Sequence, residues 1–165
     1  METLFAEGAI DRGEGLEALA EDGDPVGLAA TLGALPTVSS ADVFTTPDGA
    51  EAAGPAGPGS SYSFLFAAFP GDYLSLATMF VQSNDWLFAT MPTGIALFDG
   101  ATAVTGDVTS WIPPWDAGTE VDETPGGGPN QAPRQSGPDT GDDQNVPITA
   151  VTGYEGSIAV TITSG

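Results

Sequence analysis

The chain has 165 residues, of which 23 are acidic, two are arginine and none is lysine, for a formal net charge of −21. That balance repels phosphate backbones and anionic lipid heads, so nucleic acid and bare membrane are poor partners, and neither nucleic-acid binding nor direct membrane insertion is expected. Without Cys or His, disulfide scaffolds, thiol nucleophiles, Cys-ligated zinc and imidazole bases are unavailable, and carboxylate and Ser/Thr chemistry remain.

The acids are dispersed along the chain, which reads as adaptation to high salt. The Debye length falls from about 8 Å at physiological ionic strength to about 3 Å at 1 M, relieving self-repulsion. The other reading is an acidic exoprotein that binds several divalent ions. The 23 Gly and 14 Pro point to many turns between short strands. No apolar run reaches the 18 residues a membrane helix needs. The N-terminus carries neither a basic nor an apolar leader region, so no signal peptide is visible.

Residues 1–38 read as a helical N-terminal segment. Leu16, Leu19 and Ala20 sit at helical spacing, and Asp24-Pro25 supplies a cap for a second short helix ending near Gly33. Residues 39–165 read as one β domain. Asp42–Thr45 is a candidate strand, and Tyr62, Phe64, Phe66 and Ala68 alternate with their neighbours. Across a Gly71-Asp72 turn, Tyr73–Gln82 would complete a hairpin. Trp86–Phe88, Gly94–Phe98, Asp107–Thr109 with Trp111-Ile112, and Ile158–Ile162 follow as strands. Residues 118–147 hold no convincing strand; a run this long is functional or mobile. The fold class expected is all-β, an antiparallel sandwich with long Gly/Pro-rich loops.

Two motifs carry chemistry. Ser83-Asn84-Asp85-Trp86 and Trp115-Asp116-Ala117-Gly118-Thr119-Glu120 each set a carboxylate beside a tryptophan where an apolar run gives way to turn residues. Brought together, two such strand ends make an oxygen-rich pocket suited to a hard cation such as calcium, which takes about 6–8 oxygen ligands. The plainer reading is that Asp85 and Asp116 cap their own turns, that Trp86, Trp111 and Trp115 pack in the core or its rim, and that Arg134 anchors its loop. A contact of Arg134 with an anionic partner is the other possibility. Asp139, Asp142 and Asp143 read as a solvated acidic loop.

These motifs, with Met79–Gln82, Gly94–Asp99, Gly106-Asp107-Val108 and Asn130–Gln135, resemble the spondin domain in its prokaryotic secreted, salt-adapted form, over roughly residues 60–163. The resemblance implies a C2-like β-sandwich that holds Ca2+ between loops at one end, in a non-catalytic extracellular adhesion or ligand-binding module of the cell exterior or envelope. Its partner would be an extracellular or cell-surface protein or glycan. By position Asp85 and Asp116 would be metal ligands. The family's third acid falls at Phe66, leaving Asn84, Glu120 or a carbonyl near Ala117 to fill the gap, with Trp86, Trp115 and Arg134 as candidate binding residues. The alternative function is a glycan hydrolase using two carboxylates.

Overall fold

The computed structural model describes residues 4–165. Both expected helices form. α1 (Leu16–Asp22) buries Leu16, Leu19 and Ala20, and Gly23 ends it in the left-handed conformation. α2 (Val26–Gly33) follows after Pro25, with the Asp24 carboxylate accepting the Val26 N–H at 2.9 Å. The remaining elements are short strands, all paired antiparallel: β1 (Tyr73–Leu74), β2 (Ala77–Met79), β3 (Trp86–Ala89), β4 (Ile95–Ala96), β5 (Phe98–Asp99), β6 (Thr102–Ala103), β7 (Gly106–Asp107), β8 (Pro114–Asp116), β9 (Thr149–Ala150) and β10 (Thr161–Ile162).

The organising sheet has the order β2-β3-β8-β9. β3 and β8 are its inner strands, and alternation along β3 divides the interior in two. Leu87 and Ala89 face α1 and α2 and join Trp115, Ala117 and Ile148 in one core. Phe88 faces the opposite way and packs with Leu76, Ile95, Val108 and Ile112. The apolar side chains of the two-stranded ribbons β1-β4 and β7-β10 cover that second core, Leu74 and Ile162 among them. Burying Leu87, Phe88 or Trp115 to 2% exposure or less stabilises by roughly 1.5–3 kcal/mol for each side chain. Among the described residues no helix is long and apolar enough to cross a membrane.

Several expected strands take another form. Asp42–Thr45 and Tyr62–Ala68 are not strands, and the hairpin between 62–68 and 73–82 does not exist. The cause lies in Asp48, whose carboxylate accepts the Ser63 N–H at 3.0 Å and the hydroxyls of Ser61 and Ser63. A side chain thus satisfies a backbone N–H that a neighbouring strand would have paired. Phe44 then stacks on Phe64 at 5.0 Å and packs at a tilt against Tyr62 at 5.3 Å. The run 73–82 splits into β1, which pairs with β4, and β2, which pairs with β3. Thr109–Trp111 is a 3₁₀ turn in place of a strand, and only Thr161–Ile162 of the C-terminal run pairs, with β7.

Candidate metal centre

The pairing of β3 with β8 brings the two motifs together. Trp86 lies opposite Asp116, so Asp85, one residue earlier, reaches the same end of the sheet. Ser83 shapes that corner: its hydroxyl donates to the Phe80 carbonyl at 2.7 Å and accepts the Trp86 N–H at 3.0 Å. The Ala117 N–H donates to the Asp85 carbonyl at 3.1 Å. Past β8 the chain turns back over Asp85, whose Oδ2 accepts the N–H groups of Thr119 and Glu120, both at 3.0 Å. Asp116 Oδ1 accepts the Gly118 N–H at 2.7 Å.

A third acid completes the corner. Asp122 Oδ1 accepts the Trp86 Nε1–H at 2.7 Å, and one carboxylate oxygen from each of Asp85, Asp116 and Asp122 lies within 4.8 Å of the others. Asp85 is fully buried, yet its Oδ1 has no hydrogen-bond partner. A buried polar atom left unsatisfied costs about 1–3 kcal/mol, more when charged. Burial first, and then the charge of Asp116, push the Asp85 carboxyl up to about 7 against the pull of the two amides. Burial and the charge of Asp122 also raise Asp116, against the pull of the Gly118 N–H and of the adjoining Asp85 carboxyl. An all-oxygen donor set of three acids suits a hard divalent cation, and Asp85 Oδ1 is a buried oxygen with no hydrogen-bond donor to satisfy it.

The other residues singled out in the sequence are placed as follows. Asn84 is buried and used by the backbone, its Nδ2 donating to the Val121 carbonyl at 2.8 Å and its Oδ1 accepting the Glu123 N–H at 3.1 Å. Glu120 gives its N–H to Asp85, but its carboxylate packs on Gly141, where an added Cβ would lie 2.4 Å from Oε1. It is outside the three-acid group. Ala117 is buried and holds the corner through its N–H. Trp86 forms one wall with Phe80 and Tyr154, at centroid distances of 6.1 and 5.5 Å. Trp115 sits in the core instead, edge-on to Phe5 at 4.8 Å, with Nε1 donating to the Ala89 carbonyl. Arg134 anchors its loop, donating to the Gly128 carbonyl at 2.7 Å and to Gln131 Oε1 at 3.0 Å.

Sequence reasoning missed Asp122 and Gln131. Gln131 is fully buried; it accepts the Gly126 N–H, donates to the Thr124 carbonyl at 3.0 Å and receives Arg134. One side-chain amide therefore organises the middle of a loop without regular structure, while a lone bridge between Glu120 and Asp143 ties its far end back. Asp122 stands among other acids in the sequence, and only its hydrogen bond from the Trp86 indole, 36 residues away, distinguishes it in space. No family model, curated protein or solved structure matches the chain.

Proposed function

We propose that this chain is a non-catalytic, calcium-supported binding module of the spondin-domain type, acting outside the cell or in its envelope. In this reading the sheet and its ribbons form a C2-like sandwich, and Ca2+ fixes the loops at the end where Asp85, Asp116 and Asp122 converge. The observation that carries it is the orphaned Oδ1 of fully buried Asp85 within a three-carboxylate corner. Asp122 takes the place of the acid that the resemblance leaves missing at Phe66. Calcium would offset two of the three negative charges and lock the 118–122 turn against β3, presenting the adjacent loops to an extracellular protein or glycan. Burial of Asp85 favours binding over glycan hydrolysis, because a hydrolytic acid must reach the sugar, and its partner acid stands about 5–9.5 Å away.

Calcium titration of the metal-stripped protein is expected to change Trp86 fluorescence, since Asp122 holds the indole Nε1–H. Trp115 is sealed in the opposite core and is not expected to contribute. Asp116→Asn is expected to abolish the saturable response, and Trp86→Phe to abolish the signal while calorimetry still registers binding. An unchanged response in Asp116→Asn would overturn the assignment.

A further inference from the structure

A second group of acids lies where α1 meets the long loop, and its Glu21 also faces Thr119, Glu120 and Asp85 of the first corner. Glu17 and Glu21 are four residues apart on α1 and so share one helical face. Asp139 comes to the same place from the loop, and one carboxylate oxygen from each of the three lies within 4.8 Å of the others. Like charges at this helical spacing destabilise a helix, so the arrangement is unfavourable on its own.

The burial of Glu21 is the independent observation. Its residue is 4% exposed, and its Oε1 has no hydrogen-bond partner. The side chain nonetheless lines a pocket shared with Glu17, Asp139 and Asp22. The loop is held over this pocket by Gln135, whose Nε2 donates to Asp22 Oδ1 at 2.8 Å and to the Gly137 carbonyl. Asp139 itself adopts φ +55°, a left-handed conformation that Asp and Asn tolerate better than most residues. Arg134, the loop's cation, is turned to Gly128 and Gln131 instead.

We infer that Glu17, Glu21 and Asp139 form a second site for a hard divalent cation, which fastens the 135–143 loop to α1. Carboxylates without nitrogen or sulfur donors select magnesium, calcium or manganese. Two exposed ligands on a solvent-facing pocket leave room for the waters that complete such a shell. The two sites share no carboxylate, and the second gives the acidic loop a structural role.

The test is calcium binding by the metal-stripped full chain, measured by calorimetry and by equilibrium dialysis with radioactive calcium. Salt of about 1 M would confine diffuse counter-ion attraction to roughly 3 Å. Wild type is expected to bind two ions per chain. Asp139→Asn, a surface change compatible with the left-handed backbone, is expected to leave one ion, as is Glu21→Gln; affinity at the lost site falls at least tenfold. Calcium is expected to slow proteolysis within residues 135–143 in wild type and Asp116→Asn, but not in Asp139→Asn. Stoichiometry, affinity and protection unchanged in both Asp139→Asn and Glu21→Gln would overturn the site. If instead Asp116→Asn leaves binding untouched while Asp139→Asn removes an ion, the first site fails and this one stands.

Discussion

The metal-free protein is expected to lose stability as pH rises from about 5 to about 8, and calcium to reverse the loss. Burial foremost pushes the carboxyls of Asp85 and Glu120 up to about 7 and that of Glu21 up to about 8. In the unfolded chain the same groups ionise near 3.8 or 4.5. Between those limits the native state holds protons that the unfolded state has released, so unfolding becomes easier as pH rises. Each group contributes a slope of at most about 1.4 kcal/mol per pH unit, less where water screens the carboxylate. Below about pH 4 both states are protonated and the penalty vanishes; above about pH 8 it is complete. Calcium binds the ionised form, so its stabilisation runs the other way, reaching about 2.7 kcal/mol at a hundredfold excess over Kd. Urea unfolding across this pH range at fixed ionic strength, with chelator or calcium, reads both slopes. A metal-free stability that is flat or rising from pH 5 to 8 would contradict the buried-acid account.

Gly118→Ala is expected to cost about 2–4 kcal/mol, from left-handed backbone strain together with steric overpacking, and to weaken calcium binding at least tenfold. Gly118 has φ +70°, and a Cβ there would lie 2.4 Å from the Val146 carbonyl oxygen. Its N–H donates to Asp116, and its carbonyl accepts the Val146 N–H at 3.0 Å. The substitution must therefore displace either the chain leading to β9 or the turn that offers the Thr119 and Glu120 amides to Asp85. Gly100→Ala is the control: φ is +60° and nothing lies within 4 Å of the added atom, so only backbone strain of about 1–2 kcal/mol applies. Equal losses in chemical unfolding for the two variants would show that the packing of Val146 on the turn is unimportant.

The features legible in the sequence were those set by local chemistry. Leu16, Leu19 and Ala20 at helical spacing, and Asp24-Pro25 ahead of the next helix, mark α1 and α2 because caps and periodicity act over a few residues. The Asp99-Gly100 turn between β5 and β6 is of the same kind. Asp85 and Asp116 could be singled out because each ends an apolar strand, and antiparallel pairing of those strands brings their ends together. Tyr62–Ala68 misled for the converse reason. Its alternation fits a strand, but Asp48, distant in sequence, captures the backbone N–H of Ser63 and the Phe44 stack takes the aromatic side chains. Asp122 carries no local signal that separates it from neighbouring acids, and Gln131 looks like any loop glutamine until burial gives its amide three partners. Asp139, read as solvated, is exposed but meets Glu17 and Glu21 through the path of the loop, which periodicity does not encode.

The most direct measurement is the anomalous scattering of calcium in crystals grown with and without the ion. The account predicts a calcium-dependent peak bounded by the carboxylates of Asp85, Asp116 and Asp122, with Asp85 Oδ1 among ligands at about 2.3–2.6 Å. Well-ordered crystals grown in calcium with no anomalous peak at that corner, or with Asp85 Oδ1 bonded to a protein group instead, would contradict it.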